Sequence, residues 1–360
     1  MQEIFEYSKN QVDKAGKKAV SENITQTERD NCLCIIDKWR ALHAFPMDEI
    51  AKNINKITKN KKDKIIVQRL KKLDTILDKL KRNHSDMRLS RMQDLGGCRV
   101  ILPTIEDVYN LNNELKSKMN YKLRSEKDYI KAPNPKTGYR GIHLIYEFTD
   151  KKNPQNNGLL IEVQLRTKLQ HLWATAVETV GMLTGNGLKF GQGDFKWISF
   201  FKNVSELFAV KEENKRINFL IEGKQIHNYL IDLLEDKNKI LPKLAVYSTM
   251  NTEIEEFNNE NNVGYYLLQL NIKMPRLIIE YFNNDTQSLN NAINTYIKVE
   301  KKRDWDIVLV AAKSINELKT AYPNYFTDIK EFTSIILDYL KNQISLVKQS
   351  ADELSDDMGN

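Results

Sequence analysis

Glu162-Val163-Gln164-Leu165-Arg166-Thr167 is the stretch on which the fold turns, read together with Arg91-Met92-Gln93-Asp94-Leu95-Gly96-Gly97-Cys98-Arg99 about seventy residues before it. In an extended chain of period two, Leu159, Ile161, Val163 and Leu165 share one face, while Glu162, Gln164 and Arg166 share the other. The apolar face belongs against the core of a sheet. The opposite face carries a carboxylate, an amide and a guanidinium in a row, which is poor packing material. Groups of this kind are rarely buried without partners. The row therefore either lines a cleft that meets an ion or a phosphate, or is the solvated face of a half-exposed strand.

The earlier segment adds weight to the cleft. Asp94 precedes a short apolar strand over residues 98–102, across the pair Gly96-Gly97, which allows close backbone approach. Arg99 then points to one face of that strand and Val100 to the other. Two carboxylates on neighbouring strands, Asp94 and Glu162, suit a hard divalent cation such as Mg²⁺. Such an ion takes one or two protein carboxylates and fills its other positions with water and substrate phosphates.

At this point the residues resemble a family. Asp94-Leu95-Gly96-Gly97-Cys98-Arg99-Val100-Ile101 comes first, followed by Lys127-Asp128-Tyr129-Ile130 and by Gly138-Tyr139-Arg140-Gly141-Ile142-His143. Glu162-Val163-Gln164-Leu165-Arg166-Thr167 follows, with His171-Leu172-Trp173 just beyond it. Together they are similar to the synthetase domain of RelA/SpoT proteins, the enzymes that make the alarmones ppGpp and pppGpp. Motifs in this order within about eighty residues are specific, although each alone would be weak. Upstream, Arg69-Leu70-Lys71 with Thr75, Lys79 and Arg82 resembles the family's ATP-binding loop. The likeness covers roughly residues 65–185. It implies a mixed β-sheet, nucleotidyltransferase-like domain flanked by helices, in the α/β (α+β) class.

The resemblance also implies a reaction: transfer of the β,γ-pyrophosphate of ATP to the ribose 3′-hydroxyl of GDP or GTP, releasing AMP. Catalysis of this kind is mostly positioning and neutralisation of phosphate charge. Asp94 is expected to be the principal Mg²⁺ ligand. Glu162 is expected to be a second ligand, to act on the acceptor hydroxyl, or to do both. Arg69 and Arg99 match the pair that sandwiches the adenine ring. Lys71, Thr75, Lys79 and Arg82 fall where the family contacts the ATP phosphates. On the acceptor side stand Lys127, a further phosphate contact, Tyr139, whose ring stacks on the base, His143 near the acceptor phosphates, and Gln164 and Arg166. His171 and Trp173 read as packing residues. One departure is Thr137, where the family commonly has Asn before Gly-Tyr; a hydroxyl makes fewer hydrogen bonds to a guanine edge.

Composition is compatible with this reading. The 360 residues are 41% hydrophobic and 29% charged, as in a globular protein that can bury a sizeable core in two domains. No run approaches the ~20 apolar residues of a membrane span, and the N-terminus has no secretory pattern. Cys32, Cys34 and Cys98 make no metal-ligand spacing with the five histidines, which suits a reduced, cytoplasmic setting. The net charge of +7 is uneven. Residues 51–82 hold twelve Lys or Arg against three Asp, a balance that suits polyphosphate or nucleic acid. For residues 59–64 a solvated helical surface explains the charge as well.

Along the chain, residues 27–60 read as helical, capped by Thr27 or Asn23 and interrupted at Pro46. A strand at 65–70 leads to a helix at 75–82 whose first turn offers N–H groups to a phosphate. Thr104 caps a helix to about residue 119, residues 121–124 form a short strand, and 141–148 and 158–166 an antiparallel pair. A helix follows over 168–183, then a loop over 185–193 with four glycines, then helix from 197 to 237. The expected division is an N-terminal helical region over 1–64, a synthetase domain over 65–185, a glycine-rich loop and helical connector over 186–240, a second, smaller α+β domain over 241–345 and a disordered tail over 346–360.

A His-Asp hydrolase domain of the long bifunctional enzymes is not recognisable, so a single-activity synthetase is expected. A second reading keeps the fold and changes the acceptor. Toxic relatives pyrophosphorylate the tRNA 3′-end or adenosine nucleotides and arrest growth. The basic stretch 51–64 and the segment after 200 fit such a toxin, with tRNA as substrate and an antitoxin or other protein as partner. Oligomeric state is left open.

Overall fold

The computed structural model describes residues 6–82, 87–213, 220–221, 224–225, 240–249, 253–254, 263–271, 273–274, 276–300, 302, 304–326, 328–339 and 341. In chain order the helices α1 (Lys9–Ala19), α2 (Gln26–Ala41) and α3 (Ala44–Ile57) precede strand β1 (Ile65–Leu70), helix α4 (Leu73–Arg82) and strand β2 (Gly96–Leu102). Helix α5 (Ile105–Lys118) is followed by β3 (Lys122–Asp128), β4 (Ile142–Glu147), β5 (Leu160–Thr167), α6 (Lys168–Thr184) and α7 (Phe195–Glu213). Next come the short β6 (Leu220–Ile221) and β7 (Lys224–Gln225), helix α8 (Ile240–Thr249), and strands β8 (Glu253–Ile254), β9 (Gly264–Asn271) and β10 (Arg276–Asn283). Helix α9 (Thr286–Val299), β11 (Trp305–Ala312), α10 (Ile315–Ala321) and a helix α11 over 330–339 complete the described chain.

The first compact unit comprises residues 1–132, 141–168 and 253–321. Its centre is a nine-stranded mixed sheet in the order β3-β4-β5-β2-β1-β11-β9-β10-β8. Of these neighbours, β2 and β5 run parallel, as do β10 and β8; the rest are antiparallel. On one face, Ile66, Leu70, Cys98, Val100, Leu102, Leu144, Ile161, Val163 and Leu165 pack under apolar side chains of α3, α5 and α9. Each fully buried aliphatic side chain there contributes roughly 1.5–3 kcal/mol of transfer free energy. Helices α1, α2 and α4 form a separate cluster around Val12, Ile36, Trp39, Ile76 and Leu80.

The expected second α+β domain over 241–345 is not how the strands pair. Strand β11 lies against β1, with Gln68 opposite Ala311 and Arg69 opposite Val310, so the C-terminal strands extend the same sheet. The reason is that β1 carries a hydrogen-bonding edge on each side, and β2 takes only one of them. The expected 65–185 domain is also cut, because α6 from residue 169 onward and the loop 133–140 cluster with the second unit. The tail 346–360 lies outside the described residues, as does part of 186–240.

Local differences have local causes. Helix α2 is capped by Thr25 rather than Thr27 or Asn23, because Glu28 stands three residues on and returns its carboxylate to the Thr25 N–H. Pro46 lies inside the first turn of α3, where a missing N–H leaves no intrahelical bond unmade. Strand β3 runs on to Asp128, so Lys127 is a strand residue.

The second unit comprises residues 133–140, 169–252 and 322–360. Its described part is mainly helical, with an aromatic core of Trp173, Trp197, Phe200, Phe201, Phe208 and Phe332. The Trp173 indole N–H donates to the Phe201 carbonyl at 2.7 Å, and the Trp197 and Phe201 rings stack at 5.9 Å.

Candidate active site

Strand register builds the site. Val67, Arg99, Gln164, His143 and Lys127 are successive cross-strand neighbours from β1 through β2, β5 and β4 to β3. Two residues along, Arg69, Gly97, Glu162 and Ile145 form a second row, and Ile101 with Arg166 begins a third. Cross-strand neighbours point to the same side of a sheet, so these rows share the face opposite the aliphatic core. Polar and charged side chains stand there among the buried Val67, Ile101 and Ile145. Gly97 leaves the position between Arg69 and Glu162 without a side chain. At Gly96 a Cβ would meet the Ile161 side chain at 3.1 Å and the His43 Cβ at 3.2 Å, so the close approach favours glycine.

Glu162 is the centre of a short hydrogen-bonded chain. Its carboxylate accepts from the His143 imidazole at 2.9 Å and from the Gln164 amide at 2.6 Å. The Gln164 carbonyl in turn accepts from Arg166 at 3.0 Å and from Arg99 at 3.5 Å. Tyr129 places its ring edge-on to His143 at 5.3 Å. Burial pushes the Glu162 carboxyl up, but the His143 hydrogen bond and charge outweigh it and hold the group below its ordinary value. The negative charge of Asp94 is felt at Glu162 and works the other way.

Asp94 lies in the turn entering β2, and both its oxygens are engaged: Lys71 at 2.8 Å and Lys79 at 3.0 Å. Burial raises this carboxyl and the two ammonium groups overcome it, leaving a net depression. Lys71 is lowered, first by burial and then by Lys79 and Arg69, against the pull of Asp94. Thr75, Lys79 and Arg82 recur at i, i+4 and i+7 along α4 and so share a face. Arg82 is exposed and returns its Nε to the Asp78 carbonyl at 3.2 Å. Helix α4 begins two residues before the expected Thr75, and its first amide, that of Leu73, donates to Glu300 at 2.8 Å. Asp94 and Glu162 are the hard oxygen donors that could hold a divalent cation. Among the described residues no cluster of three or more His, Cys, Asp or Glu forms a fuller cage.

The structure brings Asp94, Lys71 and Lys79 together, and separately Glu162, His143, Gln164, Arg166 and Arg99. Arg69 and Lys127 share the sheet face by register. Tyr139 belongs to the second unit, where its loop is fastened to α7. Gly138, at φ +80°, gives its carbonyl to the Ser205 hydroxyl at 2.5 Å, and Arg140 pairs with Glu206 at 2.9 Å. The Thr137 hydroxyl accepts from the Tyr139 N–H at 3.3 Å, which spends it on the turn. The Tyr139 ring lies 6.4 Å from that of Trp173.

Sequence reasoning missed Arg40 and Glu300, which grip the segment carrying Lys71. Nothing in the spacing of either residue marks it. Tyr129 lay within a quoted motif but was given no role.

The same part of the chain is similar to known proteins. Residues 68–180 match the family described as the region found in RelA / SpoT proteins. The chain thus carries a RelA/SpoT-type domain. It is 27% identical to the GTP pyrophosphokinase YwaC of Bacillus subtilis over 167 residues, 42% of this chain and 79% of that protein. It is also 27% identical to the GTP pyrophosphokinase YjbM of the same organism, over 31% of this chain and 52% of the relative. Among solved structures, small alarmone synthetase 2 of Bacillus subtilis superposes with a TM-score of 0.42 at 25% identity, covering 49% of this chain and 92% of that one. Small alarmone synthetase 1 of the same organism, bound to its product pppGpp, gives 0.41 at 21% identity over 49% of this chain and 92% of that one. Among the described residues no helix is long and apolar enough to cross a membrane.

Proposed function

We propose that this chain is a pyrophosphokinase that transfers the β,γ-pyrophosphate of ATP to the 3′-hydroxyl of GDP or GTP, making (p)ppGpp and releasing AMP. The observation that carries the reading is one sheet face on which Glu162, Gln164, His143, Arg99, Arg69 and Lys127 stand together, beside an Asp94 held by Lys71 and Lys79. The curated relatives named GTP pyrophosphokinase support it.

In this reaction the acceptor O3′ forms a bond to the β-phosphorus, and the bond from that phosphorus to the α,β-bridging oxygen breaks. AMP leaves with the electron pair. Lys71, Lys79 and Arg82 would compensate the donor phosphates, while Arg69 and Arg99 would stack on adenine. Glu162 is ionised at neutral pH and would accept a hydrogen bond from the 3′-hydroxyl, with His143 and Gln164 fixing its orientation. Its low basicity means that the proton moves as the O–P bond forms rather than before it. Asp94 and Glu162 would hold Mg²⁺, which supplies neutralisation of phosphate oxygens.

A tRNA acceptor draws less support. Lys61 pairs with Glu114 at 2.8 Å, and Lys64 folds its ammonium onto the Thr58 and Lys61 carbonyls. Those lysines are locally satisfied rather than lined up for a polynucleotide. Incubation with γ-labelled ATP, Mg²⁺ and GDP, GTP, ATP or deacylated tRNA tests the assignment. Label on the guanosine nucleotide is expected; label on tRNA or ATP alone would overturn the acceptor, and no transfer at all would overturn the activity.

A further inference from the structure

The segment Lys71-Lys72-Leu73, which leads from β1 into the first residue of α4, is held from four directions. The Lys71 N–H donates to the Leu95 carbonyl at 2.8 Å, tying it to the residue after Asp94. The Lys71 carbonyl accepts from Arg40 at 3.3 Å. Lys72 pairs with Asp306 at the start of β11. The Leu73 N–H donates to Glu300 at 2.8 Å. Behind this segment lies a buried ionic cluster. Glu300 takes Arg40 at 2.6 Å and the Tyr296 hydroxyl at 2.7 Å, Arg40 takes Asp37 at 2.9 Å, and the guanidinium lies 4.9 Å from the centre of the Tyr296 ring. The Arg40 and Glu300 side chains are only 1% and 7% exposed.

Buried ion pairs are a poor source of stability, since their desolvation cost rivals their attraction; well-packed apolar groups of the same size often do as well. What such a cluster supplies is a fixed position. Here it fixes the backbone on which Lys71 stands, and Lys71 reaches Asp94. We infer that Arg40 and Glu300 are positioning residues for the donor-phosphate side of the site, and that the segment following β10 completes that site rather than acting as a separable appendage. The inference rests on the donor reading of Lys71 and Lys79. Glu300 also takes the first N–H of α4 with a protein carboxylate, so that amide is committed to the anchor.

The test uses the full-length chain with Glu300→Ala, Glu300→Gln and Arg40→Met. Two measurements are made: amide hydrogen exchange across residues 71–80 without nucleotide, and separate KM values for ATP and for the guanosine acceptor. In Glu300→Ala, exchange at 71–76 should rise while β4 and β5 stay protected. The KM for ATP should rise on the order of tenfold, the scale expected when a positioning contact is lost. The acceptor KM should change less than twofold, and Glu300→Gln, which keeps an acceptor for Leu73, should recover part of the loss. Unchanged exchange at 71–76, or equal loss for donor and acceptor, would overturn the positioning role. If Arg40→Met unfolds, the glutamine variant carries the comparison. A wild-type chain that binds no ATP would overturn the donor reading, and the exchange measurement would still decide whether the cluster fixes the segment.

Discussion

The two halves of the one sheet are built on opposite principles. In β2 and β5 one face is aliphatic and the other is given to Arg99, Glu162, Gln164 and Arg166. In β9 both faces are buried and, apart from Gln269, carry hydrophobic side chains: Tyr265 and Leu267 join the main core, while Tyr266, Leu268 and Leu270 are buried on the other side. The half that carries the motifs thus gives up burial for charge, and the half without motifs supplies burial. The contrast has a further side. Glu300 and Asp306, the charges that hold the Lys71 segment, both come from the half without motifs. A charged face needs an external frame, and here the frame is coded more than two hundred residues away from the residues it holds.

The largest effect should fall on the motif half. Glu162→Gln and Asp94→Asn are expected to lower kcat by roughly 10³-fold, the scale of losing a preorganised charge at a phosphoryl-transfer site. Circular dichroism and Tm should stay near wild type; near-normal turnover would break the contrast at its root. The frame should answer differently. Leu267→Ala is expected to cost about 3 kcal/mol of folding stability by leaving a cavity, read by urea denaturation. Its KM values, taken where it is folded, should not move.

Acid separates the halves again. His43 is buried under Gly96 with Nδ1 donating to the Trp39 carbonyl, and burial pushes its pKa down to about 4. A folded pKa below the unfolded value of about 6.5 means that the unfolded chain binds the proton first. Stability is then full above that value and falls as the pH drops toward 4, by about 3 kcal/mol over the window. Denaturation at stepped pH should show this slope, and His43→Gln should flatten it. The depressed Asp94 and Glu162 carboxyls would lose their contribution only at still lower pH.

Two smaller effects sharpen the site itself. Arg99→Ala should weaken ATP binding by about tenfold with the acceptor unaffected, since a desolvated cation over an aromatic ring is worth about 1–2 kcal/mol. Equal loss for both nucleotides in calorimetric titration would remove Arg99 from the donor side. Least of all, joint neutralisation of Lys59, Lys61, Lys62 and Lys64 should leave transfer to GDP within about twofold, because Lys61 and Lys64 are taken up by local partners and the exposed Lys59 and Lys62 are screened by salt. A collapse in that assay would bring the basic stretch back into the function.

The faces of β2 and β5 were legible because period-two alternation is local: Ile161, Val163 and Leu165 cannot point the same way as Glu162, Gln164 and Arg166. The capping box from Ser8 to Gln11 that starts α1 is just as local, but it was not part of the expectation. What alternation does not encode is which edge meets which. The segment 65–70 reads the same whether its second edge is open or paired, and only the fold shows Arg69 opposite Val310. Arg40 and Glu300 were illegible for a related reason. Arg40 lies on α2 and Glu300 just past the end of α9, and the pairing between them spans 260 residues and carries no motif.

The two compact units are threaded through each other in the chain, with boundaries near residues 132, 140, 168, 252 and 321. Neither can be excised as a contiguous fragment. A chain stopped after residue 252 would keep every motif residue yet strip β11 from β1, exposing a row of N–H and C=O groups that invites pairing with another molecule. The motif residues and the strand that covers the β1 edge are thus written in different parts of the chain, and shortening the protein to its recognisable region would separate them.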